Sequence, residues 1–154
     1  MKKLFSILVA VAICLFVGWL SSLMNVPSIE AWYPTLQKSS FTPPEYIFPI
    51  VWSVLYVLIG VSVGLLYNVH DISRRPLRAL FAVQLLFNVS WSFFFFKMQS
   101  PILAFVNLLI LVMLGVAYFI GTMMVKRSSG LFFLPYLLWI LFATYLNFYI
   151  VIYN

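Results

Sequence analysis

Acidic side chains are almost missing from this chain. Asp and Glu total three, as Glu30, Glu45 and Asp71, while His70 and Cys14 are each the single residue of their type. The acids stand between the long apolar runs, so no run carries a buried carboxylate. General acid–base catalysis, a Ser–His–Asp or Cys–His arrangement, and a metal held by a His/Cys/carboxylate cluster all need groups that this sequence does not supply. Proton-coupled or ion-conducting paths normally run through ionisable groups at membrane depth, and none stands there apart from Lys97, at a helix end where it can snorkel. A haem held by an intramembrane histidine is excluded for the same reason. Cys14 lies inside an apolar run and gives neither a disulfide frame nor a thiolate cluster.

What fills the chain instead is apolar. It is 65% hydrophobic and 8% charged, with a mean hydropathy of +1.10, which places it among integral membrane proteins. The predicted fold is an all-α bundle of five membrane helices forming one domain over residues 1–154. The spans fall at about 4–24, 49–67, 77–96, 101–125 and 131–153, each able to cross roughly 30 Å of hydrocarbon. Pro49, Pro76 and Pro101 stand where three of them begin, the position a helix tolerates best. The apolar start, from Leu4, is read as a retained helix and not a cleaved signal. Short connections predict that consecutive helices are antiparallel neighbours.

The net charge of +6 reflects topology and not nucleic-acid binding. Lys2, Lys3, Arg74, Arg75, Arg78, Lys126 and Arg127 fall on one side of the expected membrane, against Lys38 and Lys97 on the other. The positive-inside rule then puts the N-terminus in the cytoplasm, with the long first loop and the C-terminus outside.

Residues 32–56 break the apolar pattern. They gather Pro34, Pro43, Pro44 and Pro49 with Trp32, Tyr33, Phe41, Tyr46, Phe48, Trp52 and Tyr56. Proline fixes φ and removes a backbone donor, so the stretch up to Phe48 cannot be one continuous helix. Loop 25–48 is expected to cap a pocket after the first span; an interfacial aromatic belt is the plainer alternative.

Ser6, Ala10, Cys14, Gly18 and Ser22 recur at four-residue spacing in the first span, Ser53, Gly60 and Gly64 in the second, and Ala117 and Gly121 in the fourth. Small residues on one stripe let helices approach closely, within the chain or between two copies. The bundle is therefore expected to be tight along these stripes, with any cavity elsewhere. Polar residues at depth mark that place: Gln84, Asn88 and Ser92 near Trp91, and Trp139, Ala143 and Asn147 at steps of four. Asn88 and Asn147 must point inward, either as interhelical hydrogen bonds or as ligand contacts. The second reading gathers Trp52, Trp91, Trp139, Asn88 and Asn147 around one apolar site with Ala143 leaving room for a flat ligand.

Three blocks of sequence resemble the translocator protein family, also called TspO, tryptophan-rich sensory protein or peripheral-type benzodiazepine receptor. The first runs Trp32-Tyr33, Leu36, Lys38, Phe41-Thr42-Pro43-Pro44, Phe48-Pro49, Trp52 and Leu55-Tyr56. The second is Gln84-Leu85, Asn88, Trp91 and Phe94-Phe95. The third is Leu134-Pro135-Tyr136, Trp139, Phe142-Ala143 and Leu146-Asn147. Each motif is modest, but their order and spacing match along nearly the whole chain.

The resemblance implies a bacterial member in the inner membrane, usually a homodimer, binding protoporphyrin IX or a related tetrapyrrole without needing a cofactor. It also implies binding of isoquinoline carboxamide and benzodiazepine drugs, and a sensory role. Carried over by position, Tyr33, Pro43, Phe48, Trp52, Tyr56, Phe87, Asn88, Trp91, Trp139, Ala143, Leu146 and Asn147 would contact ligand. Trp52 and Trp139 would be the tryptophans of a light-dependent porphyrin breakdown. Passive translocation of tetrapyrroles is the alternative. Two departures stand out: Lys38-Ser39 replaces a common Lys-Pro, and no basic residue follows Leu146-Asn147-Phe148. The cholesterol-recognition pattern is thus incomplete, and cholesterol handling is not expected.

Overall fold

The computed structural model describes residues 2–23, 25–67, 69 and 74–154, and among them there is no strand. His70 and Asp71 lie outside the described residues. Helices α1 (Lys2–Ser22), α3 (Ile47–Leu66), α5 (Pro101–Val125) and α6 (Arg127–Tyr153) are long and apolar enough to span a membrane. So is α4 (Arg74–Ser92) with the π-helical turn Phe93–Lys97 that extends it. The chain is a multi-pass membrane protein with five such spans.

Its surface and interior are inverted relative to a soluble domain. Phe5, Phe16, Trp19, Ile102, Met113 and Leu138 are exposed, while Gln84, Asn88, Asn107, Ser62, Thr122, Ser129 and Asn147 are buried. In lipid the exterior costs nothing by being apolar, and each interior amide or hydroxyl needs a partner from a facing helix. The densest apolar packing is among Tyr118, Phe133, Tyr136, Ile59, Leu66, Leu111 and Ile140, all essentially solvent-free.

Proline placement sets several boundaries. Pro101 opens α5, with the Ser100 hydroxyl accepting the Leu103 N–H at 3.5 Å. Pro49 and Pro76 sit in the first turns of α3 and α4, where the missing N–H has no helical partner to lose. Pro135 stands inside α6, and the helix continues through it. Helix α6 starts at Arg127, earlier than the residue 131 expected, because Ser129 and Gly130 serve the helix start. Ser129 Oγ donates to the Ser62 carbonyl at 2.8 Å, and Gly130 leaves room for Met123.

The loop expected over 25–48 holds two pieces of helix. These are α2 (Val26–Ala31) and a 3-10 turn, Tyr33–Thr35, each with a proline in its first positions. Proline therefore starts short helices here as well as preventing a long one.

The helices pack in the ring order α1, α3, α6, α5, α4. Consecutive spans are packed neighbours, as expected, for α1 and α3, α4 and α5, and α5 and α6, whereas α3 and α4 touch only sparsely, which corrects the expectation for that pair. Helix α3 is drawn to α1 instead. A Cβ at Gly60 would lie 2.6 Å from the Val11 Cα, and one at Gly64 would lie 2.7 Å from the Ile7 Cα. The two backbones thus meet where glycine allows it. The remaining seam, between α1 and α4, is thinly packed and opens into a groove of about 420 Å³.

That groove corrects a second expectation. Ser6, Ala10 and Cys14, read as a stripe for tight packing, line it with Val63, Phe81 and Leu85. Small side chains permit close approach but do not enforce it. Helix α1 leans onto α3 through Ile7, Val11 and Gly18, leaving its small stripe toward α4 partly unfilled.

Candidate functional site

Helix α3 presents Phe48, Trp52 and Tyr56 at steps of four, hence on one face. Facing it, α6 supplies Tyr136 and Trp139, and α4 supplies Gln84 and Asn88. The Trp52 ring lies 5.7 Å from Tyr56 and 6.4 Å from Tyr136, and Phe48 meets Trp139 edge-on at 6.1 Å. Such tilted and edge-to-face contacts are the favourable ones for aromatic quadrupoles.

A chain of hydrogen bonds ties the three helices beneath these rings. Tyr56 OH donates to Asn88 Oδ1 at 2.6 Å, Asn88 Nδ2 donates to Tyr136 OH at 3.0 Å, and Gln84 Nε2 donates to the same phenol. Asn88 therefore spends both ends of its amide on the protein. Asn147 does likewise, accepting from Trp91 Nε1 at 3.1 Å and donating to the Pro101 carbonyl at 2.8 Å. Interhelical bonding, one of the two readings open from sequence, accounts for both amides.

Among the described residues, three polar atoms inside the bundle are buried without a protein partner: Trp139 Nε1, Gln84 Oε1 and Asn107 Oδ1. An orphaned donor among aromatic rings costs on the order of 1–3 kcal/mol until something accepts from it.

A second aromatic group lies at the loop end of α4. Trp91 stacks on Phe95 at 5.1 Å, and Phe95 and Phe96 meet Trp32 and Tyr33 at 5.3–6.2 Å. Ser28 Oγ donates to the Phe96 carbonyl, which the π-helical turn leaves open. Trp91 packs against both aromatic groups and joins them.

The loop is pinned onto the bundle at its other side. Ser39 Oγ pairs with Tyr145 OH at 3.1 Å, Phe41 meets the Tyr145 ring at 6.3 Å, and Gln37 exchanges hydrogen bonds with the side chain of Asn154. Lys38 lies 4.4 Å over the Tyr33 ring and donates to the Tyr33 carbonyl at 2.9 Å. Burial pushes the Tyr33 phenol up to about 12, and the negative charge of Glu45 adds to the rise.

Among the residues singled out from sequence, Phe48, Trp52, Tyr56, Asn88 and Trp139 come together between α3, α4 and α6. Tyr33, Trp91 and Asn147 belong to the second group. Ala143 lies one turn from both Trp139 and Asn147 on α6, and Leu146 beside it is buried. Phe87 packs on the core, and its carbonyl accepts from Asn107 Nδ2. Pro43 is half-buried in the loop. None of these residues lines the 420 Å³ groove between α1 and α4. Sequence reasoning placed Tyr136, the hub of the amide chain, in the third block without giving it a role, and passed over Tyr145, the loop's anchor. Their spacing on α6, three before and six after Trp139, was the available signal for both.

Known proteins carry the same pattern. The model of the TspO/MBR family matches residues 10–153. The tryptophan-rich protein TspO of Chlorobaculum tepidum is 32% identical over 96% of this chain and 94% of its own length. That of Archaeoglobus fulgidus is 34% identical over 100% of this chain and 97% of its own. The translocator protein of Ovis aries is 32% identical over 76% of this chain and 71% of its own. With the five spans, the aromatic loop and the amide chain in place, this membrane protein belongs to the TspO/MBR family.

Proposed function

We propose that the protein binds porphyrins such as protoporphyrin IX, and planar apolar drugs of the isoquinoline carboxamide and benzodiazepine classes. The site is the loop end of the bundle, among Phe48, Trp52, Trp139 and their neighbours. The observation that carries this reading is the buried, unpartnered indole N–H of Trp139, set beside Phe48 in an aromatic wall. Aromatic faces stack on a flat macrocycle, and the free N–H offers one directional bond. Asn88 and Asn147 shape the wall by holding Tyr56, Tyr136 and Trp91 in place. On this reading Tyr33, from the second aromatic group, and the loop residue Pro43 also contact the ligand.

On this reading light converts a binder into a catalyst. Porphyrin excited in the site passes one electron by way of Trp52 or Trp139 to dissolved dioxygen, giving a porphyrin radical cation and superoxide, and these two combine to oxygenate and open the macrocycle, with no acid–base residue required. The protein works as a homodimer in a bacterial inner membrane, its N-terminus cytoplasmic and its aromatic loop outside, as the basic residues at the other end favour. A passive translocator of tetrapyrroles is the second reading, favoured by the name of the sheep relative.

Protoporphyrin IX added to detergent-purified protein separates these readings by absorbance and tryptophan fluorescence, in darkness and then under light. Dark quenching with a stable spectrum means binding alone. A light-driven change lost in Trp52→Phe or Trp139→Phe, at porphyrin concentrations that saturate each variant in darkness, means that the tryptophan takes part in chemistry. No dark quenching overturns the proposal. Porphyrin flux across proteoliposomes, abolished by a ligand that blocks the site, would support translocation.

A further inference from the structure

We propose that the groove between α1 and α4 seats one anionic phospholipid, with an acyl chain along the groove and the phosphate on Arg78. The groove holds about 420 Å³, within the range of about 300–1,000 Å³ usual for small-molecule sites. Its walls are Phe5, Val9 and Ile13 of α1 and Phe81 and Leu85 of α4, all apolar and matched to a hydrocarbon chain. Ala10 and Cys14 form a floor that is already buried, so the cavity has depth and is not merely a rough patch of surface.

One end of the groove is cationic. Arg78 is in the lining, its guanidinium held 4.7 Å over the Tyr67 ring. Among the described residues it has no carboxylate and no hydrogen-bond acceptor, although a guanidinium offers five donors in a fixed fork. Arg74, by contrast, is committed to the carbonyls of Val69 and Tyr67, and Arg75 is exposed beside it. A guanidinium oriented by an aromatic ring, without an acceptor among the described residues, and at the mouth of an apolar channel fits a phosphate diester with a tail. The further charge of Arg74 and Arg75 favours a headgroup with net negative charge over a zwitterionic one. Phe5, Val9, Ile13 and Ala82 of its lining are exposed, so the groove opens outward along a thin seam of the ring and a lipid enters sideways without unfolding anything.

Native mass spectrometry of the full chain in mild detergent tests this, titrating phosphatidylglycerol and phosphatidylcholine of equal chain length. Wild type is expected to retain one phosphatidylglycerol per chain, with phosphatidylcholine about fivefold weaker or worse. Arg78→Gln should reduce phosphatidylglycerol to the phosphatidylcholine level. Ala82→Trp, at an exposed lining position, should reduce both by filling the groove. Equal retention of the two lipids by wild type, or unchanged phosphatidylglycerol in both variants, overturns the proposal. So does a dimer that Ala82→Trp dissociates while lipid retention stays constant, since a second copy would then occupy the groove. Melting followed by circular dichroism confirms that each variant is folded before its lipid count is read.

Discussion

The phenol of Tyr56 and the amide of Asn88 meet at 2.6 Å across the sparsest seam between consecutive spans. Little else holds α3 to α4, so this bond and the Tyr136 phenol behind it act as the connection. Asn88→Leu should lower stability by about 1–2 kcal/mol, because it strands the buried Tyr56 hydroxyl as a donor. Adding Tyr56→Phe should then cost little more, a coupling of about 1 kcal/mol in the double-mutant cycle. Unfolding in one detergent reads all four proteins. Strictly additive losses would show that the two side chains act separately.

Trp139→Phe deletes a donor that the protein itself does not use. Dark affinity for protoporphyrin IX should fall about fivefold, the equivalent of about 1 kcal/mol for a net hydrogen bond. Stability without ligand should change less than the binding does. Unchanged affinity by fluorescence quenching would remove Trp139 Nε1 from the site.

The α1–α3 contact can be probed at its glycines. Gly60→Ala drives a Cβ into the backbone of Val11 and should cost about 1–3 kcal/mol. Gly115→Ala meets side chains and no backbone, the ends of Ile140 and Leu137 at 3.2 and 3.3 Å and the Phe133 ring at 3.8 Å, and should cost clearly less. Thermal midpoints in the same detergent decide the matter, and a Gly115→Ala protein melting as low as Gly60→Ala would sink the argument.

Alkaline pH should loosen the loop. The Tyr33 phenol is raised from 10.0 to about 12, so the folded chain keeps a proton that the unfolded chain loses first. Its contribution is complete below pH 10 and is lost as pH rises toward 12. A difference titration of phenolate absorbance, wild type minus Tyr33→Phe, should place Tyr33 near that value, and Glu45→Gln should move it down. A Tyr33 transition at the ordinary tyrosine value would contradict the buried geometry.

Hydropathy made the five spans plain because lipid demands an unbroken apolar run, and the aromatic and proline residues of 32–56 announced the loop. Residue type also told which amides had to face inward, but not what they would meet. Asn88 and Asn147 could have pointed at ligand or at protein with the same spacing, and only the placement of Tyr56, Tyr136 and Trp91 decides. The α1 stripe was legible as small and not as a gap, because a gap depends on where the facing helix α4 stands. Tyr136 was hidden by its kind: a tyrosine on an apolar face reads as core until its hydroxyl's partners are seen.

The π-helical turn at Phe93–Lys97 stores one residue more than an α-helix would use there, with Met98 N–H reaching back to the Phe93 carbonyl at 2.9 Å. That extra residue sets the angular phase of everything after it, at about 100° per position. It is what turns Phe95 and Phe96 together toward Trp32 and Tyr33. Deleting one of the phenylalanines would let the segment relax to a plain α-helix while the span stayed intact. The aromatic grip on the loop would then rotate away, and limited proteolysis should cut the loop sooner. A helix can thus act as a dial for its neighbour, with a single-residue insertion as the setting.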